Sequence, residues 1–194
     1  MNYEPCAIVK IMFHSLIEEA RQWSKGKNPF WRLPLLVVFG YWGVRYLQNS
    51  EYSCVLGALN LGVHEFGHLL FSWAGMTWSI AGGTLTQVAA PVYGVYNFLK
   101  QDDYFSAALS FGWLSTSLFE AARYIADARA MAMTLVSPFG SDPIHDWNYL
   151  LMKWHLLPYD AVLGGAVRAL AVASMVVCLA AGAWMGWEMV RNRS

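Results

Sequence analysis

Towards its end the chain carries a long run without a single charged side chain, Ala169–Trp187, and this run limits what the sequence can fold into. A helix that spans a bilayer needs about 20 mostly apolar residues, and Trp184 and Trp187 stand at one end, where aromatic anchors usually lie. The chain of 194 residues is 57% hydrophobic and only 13% charged, against roughly 25% charged in soluble domains. The sequence therefore predicts an integral membrane protein, with the lipid bilayer as its first partner.

Composition excludes several other classes of protein. The 13 Lys and Arg residues balance 13 Asp and Glu residues, so the basic excess typical of nucleic-acid binding is missing and no nucleic-acid partner is expected. Aromatic residues make up 15% of the chain, which disordered segments do not carry. Cys6, Cys54 and Cys178 lie far apart without CxxC spacing, so neither a disulfide framework nor a cysteine zinc site is indicated.

Four more apolar stretches are candidates for membrane spans: Leu33–Leu47, Tyr52–Met76, Thr84–Leu99 and Tyr104–Ala122. We therefore predict one all-α, polytopic membrane domain over residues 31–194, with about five transmembrane helices and six as the alternative count. With five spans, Lys and Arg are more frequent in the flanks that share a side with the N-terminus. This bias predicts a cytoplasmic N-terminus and a location in an inner or plasma membrane.

Residues 1–30 form a separate segment with a helical pattern. Glu18 and Glu19 interrupt it, so it does not read as a cleavable signal peptide. Its apolar residues recur at helical spacing: Val9, Met12, Phe13, Leu16, Ala20 and Trp23. The pattern fits an amphipathic helix on the membrane surface, and it fits equally well an ordinary helix packed against the spans.

The sequence His64-Glu65-Phe66-Gly67-His68 carries the clearest chemistry. Residues four apart lie on one face of a helix, so both imidazoles can bind one zinc ion. Glu65 can then act as general base on water at the metal. Ionisable residues inside a membrane are unfavourable unless compensated, and a bound metal is a simple compensation. Hydrogen bonding between helices is the alternative interpretation, but two histidines at ligand spacing with Glu between them favour a metal.

This stretch resembles the site-2 proteases, a family of intramembrane zinc metallopeptidases that places HExxH inside a membrane helix. Behind the motif come a glycine-containing segment, Ile80-Ala81-Gly82-Gly83, and an apolar stretch with Pro91, so the resemblance covers roughly residues 55–130. It implies a zinc cofactor and peptidase activity. The family usually takes its third ligand from an Asp-Gly pair, and this chain contains none.

The third zinc ligand is therefore open between two regions. If the predicted fourth span runs parallel to the second, Glu120 and Asp127 lie near the depth of the motif; Asp127 can instead pair with Arg123. The polar loop 136–158 offers His145 as a direct ligand, and Asp146 as a ligand or as a group that holds one. The alternative for this loop is an interfacial helix.

From these residues we expect an intramembrane zinc metallopeptidase that hydrolyses membrane-embedded or juxtamembrane segments of other proteins, with Glu65 as general base. A homo-oligomer or an accessory membrane protein is a further expected partner, because the chain has no added domain to select substrates. The alternative function is a non-proteolytic membrane protein with a structural zinc or a role in assembly.

Overall fold

A computed structural model describes residues 5–134 and 144–192, with side chains from His14 onward. The described residues form seven α-helices and two short 3₁₀ turns, Ser72–Ala74 and Leu157–Tyr159. The helices are α1 (Pro5–Ser24), α2 (Leu33–Gln48), α3 (Leu56–Leu70), α4 (Met76–Lys100), α5 (Tyr104–Ala126), α6 (Asp146–Lys153) and α7 (Asp160–Arg191). The predicted all-α class is thus confirmed.

The prediction of about five transmembrane helices is wrong. Over the described ranges, one helical stretch, Leu157–Arg191, is long and apolar enough to cross a membrane, with a mean hydropathy of 2.1 in its most apolar part. It contains the uncharged run Ala169–Trp187. The orientation predicted from Lys and Arg counts depended on five spans, so that argument loses its basis.

The helices at two predicted spans are too short. Helix α2 has 16 residues and α3 has 15, against about 20 for a bilayer. The predicted span Tyr52–Met76 is divided because α3 ends at Leu70 and the chain turns through Gly75, whose φ is +91°. Glycine adopts this backbone conformation without a steric penalty.

Two further predicted spans have the length but not the hydropathy. Helices α4 and α5 have 25 and 23 residues, yet α4 carries Ser, Thr, Gln and Asn side chains and α5 carries Ser and Thr side chains along its length. Several of these polar groups are buried and bonded inside the protein, among them Gln87, Ser115 and Thr116. The apolar appearance of these stretches in the sequence therefore reflects, in part, packing against other helices.

Helices α5 and α7 form the centre of the structure and run antiparallel. Ser115 Oγ donates to the carbonyl of Ala171 at 2.7 Å, and Ser174 Oγ donates to the carbonyl of Phe111 at 2.7 Å. Small residues allow this approach, since a Cβ on Gly164 would lie 2.8 Å from the Ala122 carbonyl oxygen. The core of buried side chains extends from these helices to α2 and α1.

Helices α3 and α4 form an antiparallel hairpin that places the sequence motif. A Cβ on Gly67 would lie 2.2 Å from the Gly82 carbonyl oxygen, and a Cβ on Gly82 would lie 2.6 Å from the Gly67 carbonyl oxygen. The two backbones therefore touch at these glycines. As a result, α4 lies directly against the face of α3 that carries both histidines.

The N-terminal segment also joins the core. Ala20 is buried together with Phe39, Tyr104 and Met185, and Arg21 lies 3.7 Å from Glu188 of α7. The side chains of Val9, Met12 and Phe13, which the amphipathic pattern included, lie outside the described residues. The second half of α1 is thus packed against other helices.

Candidate metal centre

Three side chains from two distant parts of the sequence converge on one point. The Nε2 atom of His64 lies 2.9 Å from Asp146 Oδ2, and the Nε2 atom of His68 lies 3.3 Å from the same oxygen. One ligand atom from each residue lies within 4.8 Å of the others. His64 and Asp146 are buried, and His68 is half-buried. This is the group of possible metal ligands in the part of the chain that the structure describes.

The other ring nitrogens of the two histidines are held by hydrogen-bond acceptors. His68 Nδ1 donates to the carbonyl oxygen of Ser79 at 2.8 Å. His64 Nδ1 lies 3.0 Å from Gln87 Oε1, while Gln87 Nε2 donates to the carbonyl oxygen of Ser117 at 3.3 Å. Because Nδ1 carries the proton in each ring, Nε2 offers its lone pair when the imidazole is neutral. Outer partners of this kind orient histidine ligands in metal sites.

A glycine on α4 leaves room for the imidazoles. A Cβ on Gly83 would lie 2.6 Å from His64 Nε2 and 2.7 Å from His68 Cε1, closer than carbon atoms can approach. The backbone of α4 therefore closes one side of the group. Gly82 and Gly83, the glycines of the segment that follows the motif, both lie inside α4.

Asp146 is aimed by the start of α6. His145 precedes this helix and its Nδ1 accepts a hydrogen bond from the Asn148 backbone N–H at 3.2 Å. Its Nε2 then donates to Asp127 Oδ2 at 3.2 Å. The Asp146 N–H donates to the Tyr124 hydroxyl at 3.0 Å. Tyr124 of α5 and Asp127, directly after the end of α5, thus fix the backbone from which Asp146 reaches the histidines.

The charges of Asp146 and the two histidines affect the pKa values of one another. Burial raises the pKa of Asp146, but hydrogen bonds from His64 and His68 outweigh it and hold the pKa below its usual range. The hydrogen bond to Asp146 raises the pKa of His68 to about 9, against the effect of burial. Without a metal, His68 is therefore an imidazolium at neutral pH. A cation other than a proton can take the same place between the three side chains.

Glu65 stands beside this group. It is half-buried on α3 between the two histidines in sequence, and its charge adds to the elevation of the pKa of His68. The charge of Glu65 also raises the pKa of the Tyr124 hydroxyl, for which burial is the largest cause and the charge of Asp146 the next largest. Glu65 is therefore close enough to interact electrostatically with both sides of the site.

The other predicted candidates lie outside the convergent group. Glu120 accepts hydrogen bonds from Tyr46, Ser53 and Asn60 at 3.1, 3.1 and 2.9 Å. Asp127 accepts the Ala132 and Met133 N–H groups as well as His145. Of the residues weighed for the third ligand, the structure brings Asp146 to the histidines, and it places Asp127 and His145 one layer further out.

Three residues of the site were missed in the sequence. Gln87 and the Ser79 carbonyl hold the histidines, and Tyr124 holds Asp146. The sequence offered one signal for these residues. Gln87 is an amide within an apolar stretch, and a polar side chain in such surroundings needs a hydrogen-bond partner. The Ser79 contact is made by the backbone, which no side-chain pattern reveals.

Comparison with protein-family models, with curated proteins and with solved structures finds no match to this chain. The likeness to site-2 proteases therefore rests on the residues of the motif, and membership of that family stays a prediction.

Proposed function

We propose that this protein is a membrane-associated zinc metallopeptidase in which His64, His68 and Asp146 hold the metal and Glu65 is the general base. The observation that carries the proposal is the direction of the two imidazoles. Both Nε2 atoms point at one carboxylate oxygen, while both Nδ1 protons are given to Gln87 and Ser79.

The donor set suits zinc. Two imidazole nitrogens and one carboxylate oxygen are a common catalytic zinc set, and they leave the fourth position open for water. Ligand atoms at the corners of a zinc tetrahedron lie about 3.3 Å apart, given metal–ligand bonds of about 2.0–2.1 Å. The separations of 2.9 and 3.3 Å from Asp146 Oδ2 to the two Nε2 atoms need little adjustment.

The chemistry divides between the metal and the side chains. A bound zinc supplies a Lewis acid that lowers the pKa of water and polarises a carbonyl group. Glu65 accepts the proton of the attacking water and passes it to the leaving nitrogen. Hydrolysis then adds one water across the C–N bond, with the hydroxyl on the acyl carbon and a proton on the amine. Tyr124, whose raised pKa keeps it protonated, fixes Asp146 throughout.

Several features favour a substrate at or in the membrane. Phe66 lies within the motif and is 57% exposed, and Trp73, just beyond the end of α3, is 84% exposed. Such large apolar side chains around a site mark contact with lipid or with an apolar partner. Together with α7 as a single candidate span, they favour membrane-embedded or juxtamembrane peptide segments as substrates.

Replacement of the general base tests this function. We expect Glu65→Gln to abolish cleavage of an apolar reporter peptide while the protein still binds about one zinc per chain, because the amide cannot take a proton. Glu51→Gln, in the exposed turn beside Arg123, is the matched control and is expected to leave cleavage unchanged. Zinc binding without any cleavage by the unsubstituted chain would instead favour the structural role for the metal.

A further inference from the structure

An apolar groove lies beside the candidate metal centre, between α4 and α6. It has a volume of about 610 Å³. Its walls include Trp78, Leu85, Trp147, Leu150 and Trp154. Large aromatic and aliphatic walls with few polar groups are typical of pockets that take apolar ligand groups.

One end of the groove adjoins the ligands. Trp147 Nε1 donates to Thr84 Oγ1 at 3.1 Å, and both residues line the groove. Trp147 follows Asp146 directly, and Thr84 follows Gly83, the residue that lies against both histidines. The Thr84–Trp147 end of the groove therefore lies one residue along the chain from Asp146 and from the glycine that touches both histidines.

The other end of the groove carries a positive charge. Lys153 lines it and donates a hydrogen bond from Nζ to Thr77 Oγ1. The ammonium group also lies 5.9 Å from the centre of the Tyr149 ring. Across the described residues, no carboxylate forms an ion pair with Lys153. An apolar groove that ends at such a cation complements an apolar ligand with a carboxylate at its end.

The length of the groove sets the size of that ligand. Six helical steps separate Thr77 from Gly83 and seven separate Asp146 from Lys153, which is about 9 Å along α4 and about 10.5 Å along α6. An extended peptide covers about 3.3–3.6 Å per residue, so about three residues fit between the metal centre and Lys153. Resting on the proposed function, we infer that the groove binds the apolar C-terminal segment of a peptide substrate, with its terminal carboxylate on Lys153.

Binding without cleavage tests the groove by itself. The probe is an acetyl-capped hexapeptide of Ala and Leu, made once as the free acid and once as the C-terminal amide. In zinc-loaded Glu65→Gln protein, calorimetry should show the acid binding at least tenfold more tightly than the amide. We expect Lys153→Gln to reduce this ratio below threefold and Lys153→Arg to retain most of it. Lys100→Gln, at the exposed C-terminal end of α4, is the control and should not change the ratio.

Equal binding of acid and amide, failure of both peptides to bind, or an unchanged ratio in Lys153→Gln would each overturn the inference. Cleavage supplies an independent measurement. Two peptides with the same C-terminus but different lengths should lose the same C-terminal fragment of about three residues, as mass spectrometry can show. Cuts at a fixed distance from the N-terminus would contradict the groove. Acid-selective binding without any cleavage would contradict the peptidase proposal and leave the groove standing.

Discussion

At the scale of single residues, the site depends on which nitrogen of each histidine carries the proton. The Ser79 carbonyl can only accept, so His68 Nδ1 must donate to it. Gln87 could turn its amide either way, but its Nε2 is used by the Ser117 carbonyl, which leaves Oε1 for His64. Hydrogen bonds beyond the ligands therefore direct both Nε2 atoms at Asp146, where a metal can replace the proton between His68 and the carboxylate.

The assignment of Asp146 can be separated from that of Asp127 by substitution. Asp146→Ala removes the oxygen on which both histidines converge, so we expect zinc affinity to fall by more than a hundredfold. Asp127→Asn keeps an oxygen that can accept from His145, so we expect zinc affinity to fall by less than the roughly 10–100-fold that loss of an outer partner typically causes. Competition with a fluorescent zinc chelator measures both. A larger loss in Asp127→Asn than in Asp146→Ala would contradict the assignment.

The sequence placed His64 and His68 on one helix face but could not choose the third residue of the group. The spacing of His64 and His68 on one helix face is local, so it could be read directly from the motif. Helix α5 does pass beside the motif, but the residue that faces His64 is Tyr124, with ring centres 6.1 Å apart. Glu120 and Asp127 lie a turn to either side and have other partners. Asp146 arrives from 82 positions away, a separation over which no periodic pattern operates.

At the scale of elements, the approach of α3 and α4 depends on the absence of side chains at their crossing. Gly67 and Gly82 let the backbones touch, and Gly83 gives the imidazoles their space. A glycine inside a helix is normally unfavourable relative to alanine by about 1 kcal/mol. Three such glycines at one contact indicate that close packing outweighs this loss.

Two glycine substitutions test the contact between α3 and α4, and we expect them to change the free energy of unfolding in opposite directions. Gly83→Ala would bring a Cβ within 2.7 Å of both histidine rings. We expect it to lower the free energy of unfolding by about 1–3 kcal/mol, as overpacking does, and to reduce zinc binding. Gly62→Ala on the exposed side of α3, with no atom within 4 Å of the new Cβ, should raise that free energy by about 0.4–1 kcal/mol. Denaturant unfolding measures both, and a stabilising Gly83→Ala would refute the contact.

The boundaries of the helices explain why the predicted number of spans was wrong. Apolar stretches in the sequence were treated as continuous helices, but Gly75 divides one of them and α4 begins at Met76, well before the predicted Thr84. Apolar residues that pack between helices and apolar residues that face lipid look alike in a sequence. Ile80 and Phe119 are buried, whereas Val92 and Leu85 are exposed. Burial depends on neighbours that are distant in the chain.

At the scale of the whole molecule, charge is scarce and much apolar surface remains uncovered. Exposed large side chains occur on most helices; Val37 of α2, Tyr93 of α4 and Val162 of α7 are 72%, 65% and 69% exposed. A protein in water rarely leaves so many apolar groups uncovered. Lipid would cover such a surface if α7 spans a bilayer, as we propose.

The depth of α7 in a bilayer can be tested at two exposed valines. Val176 and Val190 are 58% and 52% exposed, so an arginine at either position meets no packed core. In water both substitutions should be nearly neutral. In a membrane, Val176→Arg places a charge near the middle of the apolar run, where arginine is unfavourable by about 2.5–3.5 kcal/mol. Val190→Arg lies beside Arg191 at the helix end, where the charge can reach water.

We therefore expect alkaline washing to release Val176→Arg from membranes and to leave Val190→Arg and the unsubstituted chain in place. Equal behaviour of the two variants, both retained or both released, would mean that α7 does not cross the bilayer at this depth.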